Sequence, residues 1–182
     1  MSKLFVDEIQ PKTTGGIIGV KGHVLQVKYF QLTTSQIETY GTSNIDQAIT
    51  NFNVSITPRN TSSIIKLESN VMFEWENGSQ NTMWFFYRNT TKLGNTDSDI
   101  SNRRSGISNS LISFWVADND SSTEFTTLTY FDQPQTTSAI TYKLGVTSAG
   151  TNDLFINRTK GTTDNINYER GVSFISATEI GG

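Results

Sequence analysis

Few residues in this chain of 182 could do covalent chemistry, and their spacing narrows the choice. Glu74 and Glu76 stand two apart, so on a strand both point to one face and Trp75 to the other. Paired carboxylates beside an aromatic ring suit acid–base work on a sugar. The expected role here is a solvated strand face, because no second carboxylate set accompanies them. Asp97 and Asp99, and then Asp118, Asn119 and Asp120, offer hard oxygen ligands. An EF-hand loop also needs Gly at its sixth position and Glu at its twelfth. Counted from Asp97, those places hold Asn102 and Ser108, and the second stretch fails similarly. Surface turns are expected, and no metal.

Arg103-Arg104 could clamp a phosphate or a sugar carboxylate. Adjacent basic residues in an acidic chain are expected instead in a solvated loop. His23 is the single histidine, and no Gly-x-Ser-x-Gly elbow exists for it to serve. The glycines at 15–22 match neither a phosphate-binding loop nor a dinucleotide fingerprint. With no cysteine, thiolate metal sites, disulfides and thiol nucleophiles are excluded. No catalytic, cofactor or metal residue emerges, and the expectation is a protein that is not an enzyme. Trp75, Trp84 and Trp115 could stack on sugars, but they lie in strand-like runs that read as core.

The elements that would position these residues are strands. The chain holds 26 Thr, 20 Ser and 16 Asn, about a third of its length, against 14 Ala and Leu together. Branched and aromatic side chains lose rotamer freedom on helices and fit the pleated face of a sheet. The net charge of −3 gives no footprint for nucleic acid or anionic lipid. The longest apolar runs are about four residues, far short of a membrane span, and Asp7 and Glu8 interrupt the start, so no secretory signal is expected. The six Asn-x-Ser/Thr sequons are what such a composition contains by chance.

Residues 1–22 read as an extended arm, with Pro11, Gly15 and Gly16 and short apolar pieces at Leu4, Phe5, Val6, Ile9, Ile17 and Ile18. Those six residues are the candidate docking contacts. Residues 23–182 break into eight to ten strand-like pieces. Phe52, Val54 and Ile56 alternate with Asn51, Asn53 and Ser55. Runs at 23–30, 64–75, 83–88, 111–117, 125–132, 139–146, 154–158 and 171–180 follow the same logic, with a turn placed at 92–95. This predicts an all-β, antiparallel β-sandwich, with the jelly roll as its leading form. Two-sided apolar strands, at 84–87 and 114–116, suggest a second face packed on another subunit.

Several runs resemble the short fibre proteins of marine tailed bacteriophages. Met1-Ser-Lys-Leu-Phe-Val-Asp-Glu-Ile with Thr13-Thr-Gly-Gly looks like their N-termini, and Gly22-His-Val-Leu-Gln-Val like the start of their globular domain. Val54-Ser-Ile-Thr-Pro-Arg-Asn-Thr-Ser-Ser-Ile-Ile resembles an internal element, with Ser63-Ile64 where Ser-Lys is usual. Phe131-Asp-Gln-Pro-Gln-Thr-Thr-Ser-Ala-Ile-Thr-Tyr, Leu154-Phe-Ile-Asn-Arg-Thr and Ser176-Ala-Thr-Glu-Ile resemble later ones. Their order along most of the chain carries the resemblance. It implies a virion location, an N-terminal arm docked to other virion proteins, and a homotrimeric jelly-roll head broadly like C1q and tumour necrosis factor domains. It supplies no catalytic motif. Host attachment to a surface glycan or protein would come from polar loops at 94–109, 118–124 and 157–169, with Arg103, Arg104, Asp118, Asn119 and Asp120 as candidate contacts. The alternatives are a capsid or neck decoration protein with a purely structural role, and a glycan-degrading enzyme.

Overall fold

The computed structural model describes residues 21–41, 45–76, 82–95, 103–109, 123–147, 151–161, 166 and 168–182. Among them there is no helix, and the strands are β1 (Val24–Leu32), β2 (Gln36–Thr39), β3 (Asp46–Ile56), β4 (Ile64–Trp75), β5 (Met83–Arg88), β6 (Thr91–Leu93), β7 (Ser108–Asn109), β8 (Glu124–Asp132), β9 (Ile140–Thr147), β10 (Asp153–Ile156) and β11 (Ser173–Ile180). The arm residues Leu4, Phe5, Val6, Ile9, Ile17 and Ile18 lie outside the described residues, as do Asp118, Asn119, Asp120 and the expected strand at 111–117.

All pairings are antiparallel. In one sheet β4 pairs with β8 along one edge. Its other edge takes β11 at Ile64–Asn70 and then β10 at Phe73–Trp75. β1 closes the β11 side and β2 the β10 side. The second sheet runs β3-β9-β5, with β6 and β7 both beside β5. From β3 to β5, and again from β7 through β8 and β9 to β10, the chain changes sheet at each step. That alternation makes the expected sandwich a jelly roll.

The two sheets enclose Phe52, Leu67, Phe73, Trp84, Tyr142 and Leu144, all fully buried. In β3, Ile49 and Phe52 both face this core although they stand three positions apart, an odd spacing. Strict alternation would put them on opposite faces. The mismatch is absorbed at Asn51, which takes φ +54° where the register with β9 shifts. Between Ala48 and Asn53 β3 advances five residues while β9 advances two, so the irregularity inserts three extra residues, an odd number that reverses the alternation, and Asn tolerates the left-handed conformation.

Two expectations are corrected. Residues 92–95 do not form the turn, since Thr91–Leu93 is strand β6 and the reversal falls at 89–90. Asn89 supplies the φ of +54° that the reversal needs, and its carboxamide oxygen accepts from Thr141 N at 3.0 Å. The second face of β5 needs no neighbouring subunit. Trp84 and Phe86 point inward, and Phe85 points outward yet is fully buried. It lies opposite Gly145, where an added Cβ would sit 2.5 Å from its ring. Tyr87 meets the ring edge-on at 5.1 Å, and Lys92 Nζ stands 4.2 Å above it. The chain covers its own apolar face with a glycine notch and a cation.

Candidate functional site

The fold has two poles. At the proximal pole the chain enters the head, and Gly22 N donates to Gly181 O at 2.7 Å while Gly181 N donates to His23 O at 2.8 Å. The connections at 57–63, 89–90 and 133–139 lie at the same end, because Ile56, Ile64, Arg88, Asp132 and Ile140 close the strands there. The distal pole begins where Leu32 pairs with Ser173. Eight residues of strand separate Leu32 from Val24, a span of about 26 Å. Glu124 and Ser173 begin their strands at the distal pole, and Leu93 ends at mid-sheet a strand that runs toward it. In β7 and β10 the ends nearest that pole are Asn109 and Asp153, while Ser108 and Ile156 face the other way. Arg103 is exposed and Arg104 half-buried, just ahead of β7.

The runs that resemble fibre proteins turn out to hold the frame together. Three of them meet at Glu179, which is 0 % exposed. Its carboxylate accepts from Gln26 Nε2 at 2.6 Å, Arg59 N at 2.7 Å and Ser63 Oγ at 2.7 Å. Gln26 also donates to Thr57 O at 2.7 Å. Burial raises the carboxyl's pKa, but donors from Gln26, Ser63, Arg59 and Asn60 outweigh it and hold the group below the usual glutamate value. In the fourth run, Asp132 accepts from Tyr142 Oη at 2.6 Å and from Arg88 at 2.9 Å. Burial and then the Asp132 hydrogen bond and charge push the Tyr142 hydroxyl well up, against the pull of Arg88.

In the fifth run, Asn157 is buried with φ +60°. Its amide donates to Leu32 O and Thr34 O, at 2.7 and 3.1 Å, and its oxygen accepts from Ser173 Oγ. Residues 157–161 are therefore not the free polar loop expected. Arg158 donates to Thr159 O, Lys160 O and Gly161 O and lies over the Phe155 ring at 5.3 Å.

Glu74 and Glu76 do share a face of the chain, but Glu74 is not on a solvated strand face. It is 2 % exposed and accepts from Lys160 N at 2.6 Å, so the segment after β10 folds over it. Glu76 accepts from Asp153 N at 3.3 Å. These carboxylates cap backbone donors. Sequence reasoning missed β2, Glu38, Asp132, Asn157 and Glu179. The signal for Glu179 was available: it sits in step with Ile175 and Ala177, at a position that must point inward. Glu38 similarly faces inward and accepts from Thr50 N at 2.8 Å, tying β2 to the opposite sheet.

Trp75 and Trp84 are core, as expected, and Trp115 lies outside the described residues. His23 is exposed, contributing its backbone to the proximal pole. Tyr40 Oη and Trp75 Nε1 are buried at the distal pole without hydrogen-bond partners, their rings 5.3 Å apart. No group of three or more His, Cys, Asp or Glu among the described residues could hold a metal ion.

The outer face of the β1-β11-β4-β8 sheet is apolar for a surface. Val27, Tyr29, Phe125, Phe131 and Phe174 are exposed there, Tyr29 to 76 %. Register places Val27, Thr178, Lys66 and Phe131 in one row across the four strands. The central charges are Lys66 and Glu68, paired with each other at 2.8 Å.

No family model matches the chain, and no curated protein matches it. Among solved structures it is similar to the infectious bursal disease virus VP2 subviral particle, with 11 % sequence identity and a TM-score of 0.34. The match covers 86 % of this chain and 42 % of that one, so the chain spans less than half the length of that protein. At that distance the likeness carries nothing about function.

Proposed function

We propose that this chain is a structural, non-enzymatic bacteriophage virion fibre protein. Residues 1–22 dock it to other virion proteins, and a homotrimeric β head serves host attachment to a surface glycan or protein. The observation that carries this reading is the polarity of the head. The chain enters at one pole, and two of the strand ends that bound the candidate contact loops, Glu124 and Ser173, begin their strands about 26 Å away at the other. An attachment protein needs that separation, because its tether and its receptor contacts must not compete for one surface.

Two further observations support it. The runs that resemble fibre proteins supply Gln26, Arg59, Ser63, Asp132, Asn157 and Glu179, the groups that anchor this fold. The resemblance therefore falls on residues with a physical reason to recur. The homotrimer has a suitable face in the outer surface of the β1-β11-β4-β8 sheet. Its exposed rings suit burial, and its central ion pair brings no net charge into an interface.

The test is where the chain sits on the assembled particle. Antibody labelling or particle reconstruction is expected to find it on the tail. Density at capsid vertices or at the collar would overturn the tail role and leave a decoration protein. A mass measurement of the purified chain is expected to give three copies, and a stable monomer would refute the trimer. Release of reducing ends from host polysaccharide would overturn the non-enzymatic reading.

A further inference from the structure

We propose that the head is a force-bearing element, with β1 and β11 arranged to resist tension between the proximal and distal poles. The inference rests on the fibre reading only for the direction of the load. A tether pulling at Lys21 passes its force directly into β1. Among the described strands β1 hydrogen-bonds to β11 alone. The two run antiparallel through eight registered pairs, from Val24↔Ile180 to Leu32↔Ser173.

Ladder hydrogen bonds lie perpendicular to the strands. A pull along β1 toward the proximal pole, resisted at the distal pole, loads all of these pairs together in shear. A pull that parts β1 and β11 at their shared proximal end breaks the same pairs one after another. The path from tether to distal loops takes the first geometry.

The surroundings strengthen that path. At the loaded end Gly22 N donates to Gly181 O and Gly181 N to His23 O, and the Gln26 side chain ties β1 to both Glu179 and Thr57 O. β11 cannot follow β1 out, since seven registered pairs join it to β4, which β8 backs on the far side. At the distal end Asn157 N donates to Met72 O and Gly171 N to Asn157 O. The segments on either side of Ile166 are thus fastened to the same sheet.

Because the chain has no cysteine, handles can be placed without ambiguity. The experiment stretches single full-length molecules through thiol handles in three geometries at one loading rate. The first carries Lys21→Cys and Ile166→Cys, both at exposed positions, with Ile166 98 % exposed. The second carries Lys21→Cys and Arg103→Cys, pulling from the other sheet. The third carries Lys21→Cys and a cysteine appended after Gly182. The first two are expected to unfold at similar forces, several-fold above the third. Equal forces in all three, or a higher force in the third, would overturn the proposal. Particle labelling alone tests the fibre reading, so the two can fail separately.

Discussion

Replacing Glu179 probes the joint on which the proximal pole depends. In Glu179→Ala, the Arg59 N–H and the Ser63 hydroxyl lose their acceptor, and Ser63 is 1 % exposed. Gln26 keeps Thr57 O. A stranded buried donor costs roughly 1–3 kcal/mol, so two predict a loss of about 2–6 kcal/mol in unfolding free energy. Glu179→Gln keeps one carbonyl oxygen for Arg59 and Ser63, while Gln26 keeps Thr57 O and gives up its hydrogen bond to residue 179. What remains is the difference between charged and neutral hydrogen bonds, about 1–2 kcal/mol.

The pH dependence has a definite sign. The folded pKa lies below the ordinary 4.5, so the ionised carboxylate's contribution is complete above 4.5 and is lost as pH falls through the folded value. Urea unfolding of the wild type, Glu179→Gln and Glu179→Ala, from about pH 7 to about pH 3, reads both effects. The gap between wild type and Glu179→Gln is expected to shrink on acidification below 4.5. A Glu179→Ala loss under about 0.5 kcal/mol at neutral pH, or a gap that stays constant with pH, would refute the reasoning.

Three other substitutions test the frame. Gly145→Val drives a branched side chain into the Phe85 ring and is expected to cost about 1–3 kcal/mol by thermal melting, with Phe85→Leu in the same chain recovering part of it. Asn157→Ala loses the hydrogen bonds to Leu32, Thr34 and Ser173 and forces Ala to φ +60°; Asn157→Gly should be the less destabilised of the two by about 1 kcal/mol, and the reverse order would refute the backbone argument. Tyr40→Phe removes a buried hydroxyl that has no partner, so melting is expected to show no change or a gain of up to about 1 kcal/mol; a clear loss would mean that the hydroxyl is satisfied.

The sandwich was legible because its strands advertise themselves. Phe52, Val54 and Ile56 alternate with polar neighbours, and alternation is the physical period of a pleated strand. What stayed hidden was polar burial. β2 carries Glu38 at its inward position, so no apolar alternation marks it, and its place is set by hydrogen bonds to Thr50 across the sandwich. Glu74 looked solvated because its cover comes from residue 160, far along the chain. Phe85 looked like a subunit contact because the glycine that accommodates it is Gly145, and nothing local announces their pairing. The turn at 89–90 was masked by Gly94, a stronger turn signal in composition that instead ends β6. The frame of buried polar anchors could be read only at Glu179, where an acid breaks an inward apolar series.

The place of β11 in its sheet sets the order in which the fold can be completed. It follows the ten other described strands, yet it lies between β1 and β4. Until it has emerged from the ribosome, β1 has no sheet to join, and the first half of β4 has a bare edge. The head cannot assemble piece by piece during synthesis; it must wait and then close around its last strand. Contacts between residues as distant as Val24 and Ile180 make that closure slow. A chain truncated before Ser173 lacks a central strand, so only a chain translated through Ile180 can close this sheet.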